Sequence, residues 1–352
     1  MGMGILFIFQ LCECDRCYPL TSIMEIHRLK KYFVISGGIL SSLGLARKQY
    51  RKAVDDVTLT FRRGKVLVLV GESGSGKTTL ARLMLRAVEP DSGSIIFDGH
   101  DITNKSEKEL KYFRKKVQMI HQDPYTSLNP LMTILDIVKE PLDIFCKHYS
   151  NKERIEIVLK TLADVFLDPV IETSAKYPYM LSGGQRQRVA LARALVLLPE
   201  LIIADEPVSM LDVSIRSEIL HLMKKLSIER EITYLYITHD LATSRYIGDE
   251  IAVMYAGKIV EMGPAEGVLS KPLHPYTQAL IEAVSEPDLS NLSAERIIPI
   301  KSENNAIPAK GCKFYNQCLY SMDICKVEPQ QKEVEEKHWV SCYLYDKENL
   351  SN

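Results

Sequence analysis

Long apolar runs are missing from this chain of 352 residues. No stretch reaches the roughly 18–20 consecutive apolar residues that cross a bilayer as a helix, so work at a membrane would require docking onto other chains. A charge excess is missing too. Lys and Arg total 44, Asp and Glu 45, and the net charge is −1. That excludes a globally basic binder of nucleic acid and an acidic disordered chain. Cysteine is nearly absent from the body of the sequence. Cys12, Cys14 and Cys17 crowd one end, Cys312, Cys318, Cys325 and Cys342 the other, and only Cys146 lies between. Cysteines so placed cannot staple a core, and their clustering points to metal chemistry or to chance. Internal repeats and low-complexity tracts are absent as well.

What remains is an ordinary globular composition, 46% hydrophobic and 25% charged, enough for a large core. Residues 1–10 are apolar but carry no basic n-region, and no small-residue cleavage site follows, which makes a poor secretory signal. Met24 opens MEIHRLKKYF, a natural protein start. Residues 1–23 are therefore expected to be an extension, a mis-assigned start or a disordered segment, with a peripheral anchor as the alternative. From 25 to 64 short apolar runs suggest strands, broken by a Gly/Ser stretch at 36–44. The runs VLVLV (66–70), LIIA (201–204) and YLYIT (234–238) suit strands buried on both faces of a parallel sheet. Helical periodicity follows Lys77, covers 150–166 and 213–229, and runs from about Arg186 to Leu198. Strands alternating with helices predict an α/β fold with a mainly parallel sheet. Residues 285–310, rich in Pro, Ser, Asn and Glu, read as a linker.

Residues 71–78, GESGSGKT, fit G-x-x-x-x-G-K-[ST]. The glycines let successive backbone N–H groups curl around a β-phosphate, and Lys77 supplies a cation to the β- and γ-phosphates. Thr78 offers a hydroxyl to Mg²⁺, and the following helix points its positive end at the anion. Gly71, Glu72, Ser73, Gly74, Ser75, Gly76, Lys77, Thr78 and Thr79 are the expected ATP cradle. In LIIADE, Asp205 ends a strand where it can hold the Mg²⁺ shell. Glu206, one residue on, can polarise an attacking water as general base. In LSGGQ, Ser182 is a good N-cap, and Gly183 and Gly184 permit close backbone approach before Gln185. This is a second helix N-terminus shaped for an anion. One chain has little use for two on one nucleotide, whereas two chains facing head-to-tail could each clamp the other's γ-phosphate.

LSGGQ is the signature motif of the ATP-binding cassette (ABC) ATPases, and here the chain resembles that superfamily. The resemblance implies a P-loop NTPase (RecA-like) core with an antiparallel β subdomain and an α-helical signature subdomain over about 123–180. It implies that Gln122, in HQDP, senses Mg²⁺ and the attacking water, that Asp212, in SMLD, belongs to the D-loop, and that His239, in THD, contacts the γ-phosphate. The catalytic set is then Lys77, Gln122, Glu206 and His239, with Thr78, Gln122 and Asp205 around Mg²⁺. The family also lays an aromatic ring on adenine. Tyr32 in LKKYF fits that place, with Tyr50 as the alternative.

DPYTSLNP (123–130), ADEPVSMLDVS (204–214) and PLHPYTQAL (272–280) resemble the ATPase subunits of oligopeptide/dipeptide-type ABC importers, in particular the second of the two that such permeases carry. The resemblance implies a cassette over residues 24–283, peripheral on the cytoplasmic face of the cell membrane. Its implied partners are a homologous ATPase subunit in a heterodimer, two integral-membrane permease subunits and, indirectly, an extracellular solute-binding protein, with no nucleic acid. Oligopeptides or dipeptides are the expected cargo. An importer of oligosaccharide, nickel or another solute, or a soluble ABC ATPase, is the alternative. Met210 and His121 stand where Ala and Phe are usual, in segments that communicate between subunits.

The C-terminal module, residues 284–352, carries C-x5-C-x6-C-x16-C. Close C-x2-C pairs, usual in zinc knuckles, are absent, and disulfides are unexpected in a subunit that meets cytosolic ATP. Four thiolates from Cys312, Cys318, Cys325 and Cys342 can hold a [4Fe–4S] cluster, and the importer ATPases that this chain resembles carry one at the C-terminus. Zinc, or no metal, stays open. The N-terminal cysteines receive no assignment.

Overall fold

The computed structural model describes residues 22–35, 49–283, 300–301 and 306–346. Residues 1–21 with Cys12, Cys14 and Cys17, the Gly/Ser stretch 36–44 and most of 285–310 lie outside the described residues. The strands are β1 (Ser22–Ile35), β2 (Gln49–Arg62), β3 (Val66–Val70), β4 (Ser92–Phe97), β5 (His100–Asp101), β6 (Val117–Ile120), β7 (Leu201–Asp205), β8 (Thr233–Thr238), β9 (Glu250–Tyr255), β10 (Lys258–Pro264), β11 (Lys332–Glu335) and β12 (His338–Val340). They build an antiparallel sheet of order β2-β1-β4-β5 and a larger sheet of order β11-β12-β10-β9-β3-β8-β7-β6. In the larger sheet β6, β7, β8, β3 and β9 are parallel, and β10, β12 and β11 continue it antiparallel.

The unbroken apolar runs are explained by what covers them. In β3, Val66, Val68 and Val70 enter one hydrophobic core, and Leu67 and Leu69 enter the other. β7 and β8 divide in the same way: Ile202, Ala204, Tyr234 and Tyr236 face the first core, and Leu201, Ile203, Leu235 and Ile237 the second. Side chains alternate across a strand, so a strand with an apolar partner on each face keeps Asp or Thr, where it has them, to its ends, as Asp205, Thr233 and Thr238 do. Each fully buried Val or Leu contributes about 1.5–3 kcal/mol. The second core joins this sheet to the antiparallel one through Ile26, Val57 and Phe97.

Two boundaries differ from expectation. β1 begins at Ser22, and Ile23 is buried at 1% exposure beside Met24. The cassette therefore starts before residue 24, because Ile23 is core. The helical subdomain also extends past 180. Helix Gly183–Leu195 packs on Ile134–Phe145 and Asn151–Asp164, so the LSGGQ helix belongs to that layer. The cysteine-bearing module, in turn, is continuous with the cassette. β12 pairs with β10 through Glu261–Val340 and Met262–Trp339, and the β11–β12 hairpin thereby extends the ATPase sheet.

Candidate active site

β3 feeds directly into residues 71–76, and helix Lys77–Met84 follows. Two glycines are compelled by close approach. A Cβ on Gly71 (φ 153°) would lie 2.1 Å from Met254 O, and one on Gly76 (φ 114°) 2.0 Å from Ala53 O. The loop is thus clasped between β2 and the end of β9, and Gly257 N–H donates to Ser75 O at 2.8 Å. Lys77 Nζ donates to Gly71 O (2.7 Å) and Glu72 O (2.8 Å) across the loop. Burial pulls the Lys77 ammonium below its usual pKa, against the opposing pull of Glu206, Asp205 and Glu72. Ser75 Oγ is buried without a hydrogen-bond partner, as expected of a group meant for a ligand oxygen. The Thr78 hydroxyl lies beside Asp205, whose carboxyl burial pushes above its ordinary pKa. Thr79 follows in the same helical turn. A hydroxyl and a carboxylate at this point suit the oxygen shell of Mg²⁺.

Asp205 ends β7, and the chain turns at Glu206 with φ 47°, in the left-handed region. Glu206 N–H is tied to Ile237 O at 2.9 Å. Gln122 Nε2 donates to one Glu206 oxygen at 2.8 Å, and His239 Nδ1 meets the other at 3.0 Å. Three distant segments therefore converge on one carboxylate. Tyr32 stands at the β1–β2 pairing opposite Lys52. Its hydroxyl donates to Asp55 at 2.5 Å, and Lys52 Nζ lies 5.2 Å from its ring centroid. Tyr50 is 56% exposed on β2. Next to it Arg51 donates to Gly74 O at 3.2 Å, a contact the sequence reading did not anticipate.

The signature helix starts at Gly183, directly after the N-cap expected at Ser182 and three residues before the helical periodicity that begins near Arg186, and Ser182 and Gln185 form a capping box. Gln185 N–H donates to Ser182 Oγ (3.3 Å) and Ser182 N–H to Gln185 Oε1 (3.0 Å). A Cβ on Gly184 would meet Ile215 at 2.5 Å, so that glycine serves the packing of two helices. Among the described residues no hydrogen bond joins residues 182–185 to 71–78. Asp212 is the exposed N-cap of helix Val213–Arg230, and Met210 beside it is 57% exposed.

Cys312, Cys318, Cys325 and Cys342 are free thiols that line one small pocket with Phe314, Tyr320 and Tyr343. Burial pushes Cys312 up to about 11 and Cys342 up to about 12, and the neighbouring cysteines add to both. Among the described residues no three His, Cys, Asp or Glu side chains are grouped to hold a single metal ion. Phe314 leads back to the nucleotide loop through Tyr276, whose hydroxyl accepts from Glu72 N–H at 3.0 Å. Tyr276 lies in PLHPYTQAL, which marked the chain's kinship without marking a site residue.

The sequence matches the family described as ABC transporter over residues 54–209. It also matches the family described as oligopeptide/dipeptide transporter, C-terminal region, over 260–325. It is 45% identical over 329 residues to the oligopeptide transport ATP-binding protein AppF of Bacillus subtilis (strain 168), covering 92% of this chain and 98% of that one. With OppF of the same strain, also an oligopeptide transport ATP-binding protein, it shares 46% over 267 residues, 76% of this chain and 83% of that one. Among solved structures it is similar to the dimeric post-hydrolysis state of the ATP-binding cassette MJ0796 bound to ADP and Pi. The TM-score there is 0.60 at 29% identity, over 69% of this chain and 98% of that one. With a phosphate loop, a bracketed carboxylate and a capped signature helix on this sheet, the chain belongs to the ABC transporter family, among the ATPases of its oligopeptide/dipeptide branch.

Proposed function

We propose that this chain is the motor subunit of an importer for oligopeptides or dipeptides, working on the cytoplasmic face of the membrane. The observation that carries the reading is Glu206 held between Gln122 and His239 beside the phosphate loop. In this reading residues 71–79 cradle the ATP phosphates and Tyr32 stacks on adenine. Thr78, Asp205 and Gln122 serve Mg²⁺, and Glu206 takes the proton of the attacking water. His239 meets the γ-phosphate. Residues 182–185, together with Asp212 near the junction, act on the nucleotide of a facing homologous ATPase subunit. A groove of about 280 Å³ between the Gln122 segment and the helical layer, lined by His121, Ser127, Glu140, Phe145 and Arg193, suits an inserted permease segment. The Glu140–Arg193 ion pair (2.7 Å) lies along this groove. The tagged full chain is expected to co-purify from detergent-solubilised membranes with two integral-membrane chains and a second cassette ATPase, and to raise its ATP turnover with peptide-loaded binding protein. Recovery as a free, fully active ATPase would favour the soluble reading instead.

Four cysteines around one pocket also support a [4Fe–4S] cluster held by Cys312, Cys318, Cys325 and Cys342. A tetrahedral zinc site with Zn–S bonds near 2.3 Å needs its sulfurs drawn close around one ion, and the thiols here have no such grouping. A multi-iron core reaches its four sulfurs across a wider span than a single ion does. Burial and the neighbouring cysteines disfavour the thiolates of Cys312, Cys318 and Cys342 in this pocket, and a cationic iron core would relieve both. The cluster would act as a structural tie. Anaerobically purified protein is expected to be brown and to contain about four irons per chain, with the colour lost on Cys325→Ser. Colourless, iron-free protein prepared without oxygen would refute the cluster.

A further inference from the structure

The cysteine pocket and the phosphate loop share a wall. On one side, His274, Pro275 and Phe314 line the pocket with the four thiols. On the other, the residue next to Pro275, Tyr276, accepts the backbone N–H of Glu72, the second residue of the loop. Tyr276 is 2% exposed. Its ring packs 4.4 Å from Tyr255 and 5.6 Å, edge-on, from Phe314, and Tyr255 meets Phe314 at 5.4 Å and 89°. Tyr255 is itself anchored at both ends. Its hydroxyl donates to Gln317, between Cys312 and Cys318, at 2.9 Å, and its neighbour Met254 presses its carbonyl against Gly71. Three aromatic rings thus span the distance from the cysteine loop to the first two residues of the phosphate loop.

We infer that Tyr276 is a positioning residue for the phosphate loop, and that through Phe314 it transmits the packing of the cysteine pocket to ATP affinity. The inference rests on the reading of residues 71–79 as the ATP cradle. The Glu72 N–H is committed to Tyr276 rather than to phosphate, so Tyr276 fixes the course of the loop from its outer side. A phosphate cradle depends on its N–H groups being aimed before the anion arrives, and a loop free to rotate at Glu72 loses that preorganisation. Interfaces of rigid rings transmit a shift rather than absorb it. Coupling of this kind is reciprocal: whatever packs the cysteine pocket tightly must favour nucleotide, and nucleotide must tighten the pocket by the same factor.

Tyr276→Phe removes one oxygen and keeps the ring. It is expected to raise the ATP KM, and the Kd for a fluorescent ATP analogue, about fivefold, with kcat and iron content unchanged. A purely structural role would lower the unfolding temperature and move none of these split parameters. Phe314→Leu is expected to raise the same Kd, but by less in the Tyr276→Phe background than in the parent. Equal effects in both backgrounds would remove the coupling, and a parental KM in Tyr276→Phe would remove the positioning role. Should Phe314→Leu fail to fold, the unmodified chain gives the same answer, since saturating ATP with EDTA is expected to slow severalfold the labelling of the pocket thiols in iron-free protein, or the bleaching of the brown colour by oxygen in iron-loaded protein. Unchanged rates overturn the coupling. Failure of the cradle reading itself is separately visible, as a parent chain that does not bind the analogue.

Discussion

Glu206→Gln is expected to lower ATP turnover by about two to three orders of magnitude while leaving nucleotide affinity within about twofold of the parent. The magnitude is that of removing a positioned general base. The Gln side chain keeps the size of the carboxylate and can still accept from Gln122, so the partners at 2.8 and 3.0 Å lose little of their geometry. What disappears is the oxygen able to take a proton. Local backbone geometry argues that the carboxylate is aimed on purpose. A non-glycine residue at φ 47° costs on the order of 1 kcal/mol, and the cost is borne where β7 turns toward the loop. With chemistry blocked and binding intact, ATP-bound dimers should accumulate. The checks are single-turnover hydrolysis and size-exclusion chromatography with ATP. Parental turnover by the variant would remove Glu206 from the role of base, and a collapsed affinity would mean that the residue serves binding.

The parts of this fold that were legible in the sequence are those in which one physical demand fixes the residue type. VLVLV had to be a strand with both faces covered, and its alternation between two cores bears that out. GESGSGKT had to be a tight loop between a strand and a helix, and Gly71 and Gly76 prove to be places where any side chain would strike a backbone oxygen. Boundaries were less legible. Apolar periodicity alone starts the signature helix near Arg186, whereas the Ser182 N-cap marks its start at Gly183, where a capping box overrides the poor helix propensity of two glycines,. Ile23 is core because β1 pairs beyond Met24 with Arg62 and its neighbours. Least legible were the long-range ties. Tyr276 bonds to a loop 204 residues earlier, and the β11–β12 hairpin, flanked by Cys325 and Cys342, joins the sheet at β10. No local pattern records such a contact, since any buried Tyr, and any short strand beside a turn, would read the same way.

Glu261→Ala is expected to destabilise the folded chain by about 3–5 kcal/mol, the range found when one partner of a buried charged network is removed. Glu261 lies on β10 and is fully buried. One of its oxygens accepts from Leu273 N–H and His338 Nε2, and the other from His274 N–H, each at 2.8 Å. Those donors belong to two different segments, the PLH turn that leads into Tyr276 and the β12 strand of the cysteine module. The carboxylate is therefore the knot that ties sheet, turn and module together. Truncation leaves two backbone N–H groups and an imidazole buried without an acceptor, at about 1–3 kcal/mol for each. Glu261→Gln should also destabilise, though less, because its amide turns an N–H toward groups that are themselves donors. His274 has no spare capacity to compensate: its Nδ1 already accepts Tyr276 N–H at 3.0 Å, and burial pushes its imidazole down to about 4, so it stays neutral. Chemical denaturation of the three proteins, followed by far-UV circular dichroism, measures the order parent, Gln, Ala. Limited proteolysis should meanwhile release the module first from the Ala variant. An Ala variant within about 1 kcal/mol of the parent would mean that the PLH turn and β12 are held by their apolar contacts, with the carboxylate merely tolerated between them.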